Sequence, residues 1–290
     1  MLVSETLLQQ TQIARGGPAW VRFTGEFPTV ESLAAATPAA VLRAWQGLGY
    51  NRRAINLKRT ARIVVTELGG AFPRDVAGLE RLPGIGPYTA RAVASIAFRI
   101  ATGAVDTNVR RVLGRVLAGD PADLAPSRLQ AAADRLVDPD QPDDWTHALM
   151  DIGATLCRPA RPSCAECPVE SFCRYAAGER PMPARAGRNR AAQAGQGRPQ
   201  VAGRSHAPRT GRSRAPRPAW SDFAATTRWL RGRILDRLRA APADDWVTFS
   251  GEIGSHDPAA VRRSLEALAR DSLLELDAGP ENPRARLPIA

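Results

Sequence analysis

Residues 180–219 cannot form a folded core, and this stretch divides the rest of the chain into two parts. It contains ten arginines and no acidic residue, and its only large apolar side chains are Met182 and Val201. A segment of this composition cannot bury enough surface to offset the entropy lost on ordering it. We therefore predict a disordered tether, which is either a plain linker or one whose arginines also bind phosphates without sequence preference.

The net charge of the 290-residue chain is +11, and most of this charge lies in the tether. Residues 1–179 carry +2, residues 180–219 carry +10 and residues 220–290 carry −1. A basic balance favours an anionic partner, with nucleic acid ahead of an acidic membrane surface. No apolar run approaches the roughly 18 residues that span a bilayer, and the N-terminus lacks a signal-peptide pattern. We therefore expect a cytoplasmic protein with no membrane partner.

Helical patterns dominate the part of the chain before the tether, and no convincing run of alternating strand residues occurs there. We predict an all-α fold with short loops, whose first helix covers Ser4–Ile13. After the tether, the pattern alternates between two helices and two short strands, at Ser221–Leu238, Trp246–Phe249, Asp257–Ala269 and Leu273–Leu276. Residues 220–290, called here the C-terminal module, are predicted to form a small α/β unit, which is winged-helix-like or a simple helical appendage.

The only cysteines of the chain lie within 17 residues, at Cys157, Cys164, Cys167 and Cys173. Clustered thiols in a cytosolic chain indicate metal binding more often than disulfides. Four thiolates suit either zinc or a [4Fe–4S] cluster. Zinc ribbons usually have two well-separated cysteine pairs, whereas this chain has one close pair with unequal flanks. The spacing alone leaves both metals open.

A glycine-rich turn, Leu82-Pro83-Gly84-Ile85-Gly86, lies between two predicted helices. Pro83 ends the first helix, and the two glycines allow a tight turn that exposes backbone amides at the start of the next helix. Such a helix start binds a phosphate through its amides and its dipole, without recognising the base sequence. Gly84 and Gly86 are therefore candidate DNA-binding residues, although a plain helix–helix turn is the alternative.

Two carboxylates lie near helix starts elsewhere in the chain. Asp106 precedes Thr107-Asn108-Val109 and is well placed to cap a helix. Glu5 lies early in the first predicted helix, where an acidic residue is usually solvated and stabilises the helix dipole. Taken singly, neither residue indicates catalysis.

Five motifs in one order change this interpretation. They are SETLLQQT at residues 4–11, GLGY at 47–50, LPGIGPYTA at 82–90, VDTNVRRV at 105–112 and the four-cysteine spacing. Together they resemble the helix-hairpin-helix DNA glycosylase superfamily with an iron–sulfur cluster, and within it the adenine DNA glycosylases of the MutY kind. The resemblance covers about residues 2–178. It implies a helix-hairpin-helix barrel domain over residues 1–116, and a cluster domain over 117–179 whose four cysteines hold a [4Fe–4S] cluster.

The resemblance also implies an activity and a role for individual residues. The family excises adenine mispaired with 8-oxoguanine or guanine in double-stranded DNA. We therefore expect this protein to be associated with the nucleoid, and we also expect it to be a monomer. By motif, Glu5 protonates the leaving base, and Asp106 stabilises the sugar cation. Tyr88 and Asn108 match positions that line the base pocket. Gln10 and Thr11 match positions that face the opposite base, and Leu48 and Tyr50 match a wedge that enters the base stack.

The chemistry of these residues agrees with the resemblance. Breaking an N-glycosidic bond requires a proton for the leaving base and a negative charge beside an oxocarbenium-like sugar, which two carboxylates in different protonation states can supply. Bifunctional relatives of the endonuclease III kind use a hairpin lysine as an amine nucleophile, but Tyr88 takes that position here. The chain contains a single lysine, Lys58, so we predict a monofunctional glycosylase.

Two features depart from the family pattern. Members have further residues ahead of the Ser-Glu motif, so we expect the N-terminus of this chain to be truncated. Typical members also end in a Nudix-like β-domain that checks for 8-oxoguanine, which the C-terminal module does not resemble. The alternatives are a thymine or uracil mismatch glycosylase of the same superfamily, and a non-catalytic iron–sulfur protein that binds DNA.

Overall fold

The computed structural model describes residues 1–9, 11–178, 220–242, 244–279 and 282–289. The predicted tether and Gln10 lie outside these residues. Before the tether, the described chain is helical, which confirms the predicted all-α class for this part. None of the described helices is long and apolar enough to cross a membrane.

The helices before the tether follow one another through short connections. They are α1 (Leu2–Leu8), α2 (Ile13–Glu26), α3 (Val30–Ala35), α4 (Pro38–Ala44), α5 (Arg52–Thr66), α6 (Val76–Glu80), α7 (Pro87–Phe98), α8 (Thr107–Ala118), α9 (Pro126–Leu136) and α10 (Pro142–Asp151). A π-helical turn at Ile152–Leu156 continues α10, and short 3₁₀ turns occur at Pro121–Asp123, Cys164–Glu166 and Glu170–Phe172.

The prediction of a single helix over Ser4–Ile13 is wrong, because α1 ends at Leu8 and α2 begins at Ile13. Local propensity disfavours α2, since it contains Gly16, Gly17 and Pro18. Tertiary packing explains why it nevertheless forms. A Cβ atom at Gly16 would lie 2.8 Å from the Leu8 side chain, and α2 buries Phe23 in the core. The glycine therefore allows α1 and α2 to approach closely.

The glycine-rich turn joins α6 to α7. Gly84 has a φ of +79°, a conformation that favours glycine, and a Cβ atom there would lie 2.8 Å from the Asn56 side chain. Gly86 has an ordinary φ of −94° and caps α7, with Pro87 as the first helical residue. A Cβ atom at Gly86 would meet nothing within 4 Å, so this position is open to the outside.

The C-terminal module contains two helices and three strands among its described residues. They are α11 (Thr227–Ala240), β1 (Val247–Thr248), α12 (Pro258–Arg270), β2 (Glu275–Asp277) and β3 (Arg284–Arg286). Helices and strands occur where the pattern predicted them, but α11 starts at Thr227, because the Thr226 hydroxyl accepts a hydrogen bond from the Trp229 amide at 3.2 Å. The strand β3 was not predicted. It lies between β1 and β2 in an antiparallel sheet, with Ala285 opposite Val247 and Leu276.

The C-terminal module packs directly on the helical part of the chain. Its apolar residues, including Leu235 and Leu265, belong to one buried cluster with Leu42 and Trp45. The half-buried Arg239 of α11 donates hydrogen bonds to the Leu42 carbonyl at 3.0 Å and to the Asn51 side chain at 2.6 Å. These contacts fix α11 against the end of α4 and the start of α5.

Candidate active site

Three helices bring Glu5, Tyr88 and Asp106 together. Glu5 lies on α1, Tyr88 is in the first turn of α7, and Asp106 caps α8. The Tyr88 hydroxyl hydrogen-bonds to the Glu5 carboxylate, and the charge of Asp106 acts on both groups. The two carboxylates singled out in the sequence therefore share one site, although 100 residues separate them along the chain.

The surroundings of Glu5 favour its protonated form. Burial raises the pKa of the Glu5 carboxyl above its usual 4.5, and the negative charge of Asp106 adds to this effect. The hydrogen bond from Tyr88, the N-terminal amine and His147 lower the same pKa, but burial outweighs them. Burial also raises the pKa of Tyr88, so its hydroxyl keeps its proton and remains a donor. Glu5 is thus placed to act as a general acid.

The carboxylate of Asp106 is held by two donors. Its Oδ1 atom accepts a hydrogen bond from the Val109 amide at 2.6 Å, which is the predicted helix cap. Its Oδ2 atom accepts one from Asn108 Nδ2 at 3.0 Å. Asn108 therefore contacts Asp106 directly, and its amide fixes the orientation of the carboxylate.

Arg111 connects this carboxylate to the cysteine-containing segment. It donates to Asn108 Oδ1 at 2.8 Å, to the Gly153 carbonyl at 2.7 Å and to the Cys157 carbonyl at 2.6 Å. A Cβ atom at Gly153 would lie 2.6 Å from the Asn108 Cβ atom, so only glycine allows the two segments to approach this closely. Asn108 and Arg111 therefore connect the Asp106 carboxylate to the backbone of the first cysteine.

Arg53 organises the end of α1, a role that no sequence motif indicates. Its Nη1 atom donates to the Thr6 and Gln9 carbonyls, both at 2.6 Å. Its Nη2 atom reaches the Leu48 carbonyl at 3.4 Å and the Thr11 hydroxyl at 3.5 Å. The guanidinium therefore satisfies carbonyls that a helix end leaves unpaired, and it ties α1 to the GLGY loop.

The GLGY loop presents Tyr50 and buries Leu48. Tyr50 is 46% exposed and has a φ of +46°, which is a strained conformation for a residue with a side chain. Leu48 is only 7% exposed and belongs to the core. Of the two predicted wedge residues, Tyr50 projects outward in this conformation, and Leu48 would need the loop to move.

The predicted DNA contacts Leu48, Tyr50 and Gly84 lie along one cleft of about 1130 Å³. Thr11 lies near its edge, through the contact with Arg53 described above. Gly84 and Gly86 are both exposed. The structure thus brings the hairpin and the GLGY loop to one face, while Gln10 lies outside the described residues.

The four cysteines are half-buried and line one cavity, and the structure describes no disulfide among them. The cavity wall also contains apolar side chains such as Val112 and Leu156. The buried Arg115 donates a hydrogen bond to Cys157 Sγ at 3.3 Å and stacks on the Tyr175 ring, 4.6 Å from its centroid.

In the described part of the chain, no three cysteine, histidine or carboxylate side chains converge so as to hold one metal ion. Four thiols around a cavity that also contains apolar side chains provide the donor set of a [4Fe–4S] cluster, in which each thiolate binds a different iron.

The helix-hairpin-helix geometry and the paired carboxylates agree with a family match. Residues 3–139 match the model of the HhH-GPD superfamily of base excision DNA repair proteins. A relative from Mycolicibacterium smegmatis named adenine DNA glycosylase is 36% identical over 276 residues, covering 95% of this chain and 83% of the relative. The chain belongs to the HhH-GPD superfamily. The predicted resemblance is confirmed by this match.

Other relatives cover a smaller share of the chain. The human adenine DNA glycosylase is 49% identical over 176 residues, which is 59% of this chain and 32% of that protein. The chain thus spans about a third of the length of the human relative. Mycobacterial relatives extend through the C-terminal module, since one from Mycobacterium tuberculosis is 35% identical over 94% of this chain and 81% of its own length.

Solved structures of this superfamily share the fold. A thermostable thymine-DNA glycosylase superposes with a TM-score of 0.57 at 30% identity, covering 61% of this chain and 83% of that chain. Endonuclease III in a non-covalent complex with DNA superposes with a TM-score of 0.54 at 25% identity, over 61% of this HhH-GPD chain and 83% of its own.

Proposed function

We propose that this protein excises adenine mispaired with 8-oxoguanine or guanine in double-stranded DNA. The observation that carries the proposal is the half-buried Glu5, whose raised pKa and contact with Tyr88 place an acid beside the carboxylate of Asp106. The relatives that match most of the chain are named adenine DNA glycosylases, which supports adenine as the base.

The proposed reaction is hydrolysis of the N-glycosidic bond. The mispaired adenine leaves the base stack, and Glu5 transfers its proton to a ring nitrogen of the base. The bond then breaks with its electron pair moving to the base, and Asp106 stabilises the positive charge on the sugar. Water adds to the sugar and gives up a proton, which restores the acid. Asn108 and Arg111 keep Asp106 in position throughout.

We further propose that the enzyme does not nick the DNA backbone. Strand cleavage through an imine requires an amine nucleophile at the sugar, and Tyr88 stands at the hairpin position. The single lysine, Lys58, lines a different cavity together with Arg62 and Glu275. No lysine side chain therefore lies beside Glu5 or Asp106, which supports a reaction without strand cleavage through an imine.

The DNA contacts we propose follow the cleft. Tyr50 enters the base stack as a wedge, Leu48 supports the loop from the core, and the amides beside Gly84 and Gly86 bind a phosphate. Gln10 and Thr11 face the base opposite the adenine. We expect the protein to act as a monomer associated with the nucleoid in the cytoplasm.

The four cysteines are proposed to hold a [4Fe–4S] cluster. Members of this family commonly carry such a cluster, and the thiols and the cavity fit it, as described above. When bound, the cluster would cross-link the segment from Cys157 to Cys173 and so fix the carbonyl that Arg111 contacts. Iron and sulfide analysis of the purified protein, together with the absorbance from its thiolate-to-iron charge-transfer transitions, tests this assignment against zinc.

One assay tests the reaction. The metallated protein is incubated with duplexes that contain A:8-oxoG, A:G, T:G or U:G, and alkali then cleaves any abasic site. We expect breaks at the adenine-containing mispairs only, and no breaks without alkali. Breaks only at T:G or U:G would instead support a thymine or uracil glycosylase, a second candidate that the superposed thymine-DNA glycosylase favours. An absence of breaks in every duplex would support a non-catalytic DNA-binding protein.

A further inference from the structure

A separate cavity lies where the C-terminal module meets α4 and α5. Its volume is about 340 Å³, within the roughly 300–1,000 Å³ that is common for ligand pockets. Three of its lining residues are cations of α5, at Lys58, Arg59 and Arg62. None of the three takes part in the proposed excision or in the DNA contacts along the cleft, so base excision does not explain this cavity.

Direct contacts between the two parts of the chain hold the walls of this cavity together. The Ala39 amide donates a hydrogen bond to the Pro288 carbonyl at 2.9 Å, and Arg59 Nη2 donates one to the Ser272 hydroxyl at 3.1 Å. Both walls also share one buried apolar cluster. The cavity is thus formed by packed elements rather than by a loop that must first close.

The protein itself does not neutralise the positive charges around the cavity. Among the described residues, no carboxylate oxygen lies within 4 Å of the side-chain nitrogens of Lys58 or Arg62. The one carboxylate among the described lining residues, Glu275, already accepts hydrogen bonds from Arg286 Nη2 at 2.7 Å and from the Ile289 amide at 3.2 Å. The cavity therefore has an excess of positive charge that an anion can balance.

The surroundings of Lys58 favour an anion beside it. Burial lowers the pKa of the Lys58 ammonium below its usual 10.5, and the positive charge of Arg62 adds to this effect. An anion between the two side chains would offset their repulsion and raise the pKa of Lys58 again. A carboxylate is such an anion, and it forms strong hydrogen bonds with both kinds of cation.

The rest of the cavity wall is apolar, and no aromatic ring lies among its described lining residues. The apolar part consists of Pro38, Ile55, Ala269, Leu274 and Pro288. A nucleotide base would find no aromatic surface on which to stack, and a free phosphate would leave the apolar wall in contact with water. A short acidic segment of a protein fits both parts, because its carboxylates pair with the cations while an aliphatic side chain covers the apolar wall.

Neither the DNA in the cleft nor the tether is a suitable occupant. Asn56 lines the cleft, and Lys58 lies roughly 160° away from it around a helix of 3.6 residues per turn. The cleft and the cavity share no lining residue in the described part of the chain. Residues 180–219 contain ten arginines and no acidic residue, so the cations of α5 would repel them.

We propose that this cavity binds an acidic segment of a partner protein. In the complex, a carboxylate of the segment pairs with Lys58 and Arg62, and an adjacent aliphatic side chain covers Pro38 and Leu274. Because the cavity and the cleft are separate, the partner binds while duplex DNA occupies the cleft. This interaction goes beyond base excision and does not depend on which base the enzyme removes.

The test measures binding of short fluorescein-labelled peptides to the full-length protein by fluorescence anisotropy. The first peptide has a leucine with two aspartates on each side, the second has asparagines in place of the aspartates, and the third has serine in place of the leucine. We expect saturable binding of the first peptide, weaker binding of the third and no saturable binding of the second. Both the charge and the apolar contact would then contribute to affinity.

Variants of the protein locate the peptide. Lys58→Gln and Arg62→Gln should each weaken binding of the first peptide about fivefold to tenfold, because each removes one partner of a carboxylate. Arg128→Gln, at an exposed arginine of α9 that does not line the cavity, should match the wild type. Excision of adenine by Lys58→Gln should stay within about twofold of the wild-type rate, since the two sites share no residue.

The single lysine of the chain allows a direct measurement at the site. Protein labelled with ¹³C at the lysine ε-carbon gives one side-chain signal of this type, because Lys58 is the only lysine. The pH titration of this signal reports the pKa of Lys58, which should rise when the first peptide is bound. A peptide that binds elsewhere would leave the titration unchanged.

The proposal is overturned if the first peptide shows no saturable binding, or if Lys58→Gln and Arg128→Gln bind it equally. It is also overturned if inorganic pyrophosphate or undamaged duplex DNA displaces the labelled peptide as readily as the unlabelled peptide does. A dimer in solution that Lys58→Gln dissociates would make a second copy the occupant instead. Adenine excision by the wild type is measured separately on the A:8-oxoG duplex, so the proposed function and the partner site fail independently.

Discussion

The site around Glu5 and the cleft around Tyr50 are built in different ways. Asp106 is fixed by the helix cap that it forms, and Tyr88 by its place one residue after the start of α7. Around the cleft, by contrast, Arg53 and Arg239 reach across the fold to hold loops and helix ends. A local cap thus sets the conformation of Asp106, and Arg111 adds a long-range connection through Asn108, whereas the GLGY loop depends on long-range arginine contacts from the start.

The largest expected effect comes from Glu5→Gln. This change removes the proton that the leaving base needs, so single-turnover excision should fall by about 10²- to 10⁴-fold. Binding to the A:8-oxoG duplex, measured by fluorescence anisotropy, should remain within about twofold because Glu5 makes no contact in the cleft. Glu67→Gln, at an exposed carboxyl, is the matched control. A Glu5→Gln protein that excises adenine at the normal rate would refute the proton-donor assignment.

The second prediction concerns the cleft. Arg53→Met removes the donors to the Thr6 and Gln9 carbonyls and leaves the end of α1 unsatisfied. We expect the free energy of unfolding to fall by about 1–3 kcal/mol, measured by urea denaturation. DNA binding should weaken as well, since the Tyr50 ring loses the Arg53 guanidinium that lies 5.6 Å from its centroid.

The neighbouring Arg52 provides the control for this variant. Its side chain is 68% exposed and its only ion pair in the described structure, with Asp271, spans 3.8 Å. Exposed pairs of this kind contribute about 0–1 kcal/mol, so Arg52→Met should change the unfolding free energy much less. An equal decrease in the unfolding free energy of the two variants would show that the buried contacts of Arg53 stabilise the fold no more than the exposed ion pair of Arg52 does.

Part of this site could be predicted from the sequence. The cap formed by Asp106 and the turn at Gly84 depend on residues within a few positions, so their spacing carries the information. The close approach of Glu5 and Asp106 was inferred only through the family resemblance. Periodicity indicates which face of a helix is buried, but it does not indicate which other helix covers that face.

The missed features share a physical reason. Arg53 follows another arginine at the start of α5, and both look like surface charges until the fold places one of them against α1. The strand β3 consists of Arg284, Ala285 and Arg286, and only the partner strands make its central alanine buried. The packing of α11 against α4 likewise depends on contacts between residues almost 200 positions apart.

A third prediction uses the hydrogen bond between Tyr88 and Glu5. This bond lowers the pKa of Glu5 and so partly opposes the effect of burial. In Tyr88→Phe the opposing contribution is lost, and the pKa of Glu5 should rise further. Because the protonated acid is the active form, the alkaline limb of the single-turnover rate should move to higher pH. A limb that moves to lower pH, or stays in place, would contradict the assigned cause.

The smallest effect is on stability, and its sign follows from the same pKa. Burial raises the pKa of Glu5 in the folded state above 4.5, so the folded protein holds this proton more tightly than the unfolded chain. Well below pH 4.5, Glu5 is protonated in both the folded and the unfolded state, so its burial does not lower the free energy of unfolding through ionisation. As pH rises through the raised pKa, the wild type loses stability that Glu5→Gln, which never ionises, retains. The Tm of Glu5→Gln should therefore exceed that of the wild type by an amount that grows with pH and then levels off. A difference in Tm that shrinks with rising pH, or one that Glu67→Gln reproduces, would show that burial does not raise the pKa of Glu5.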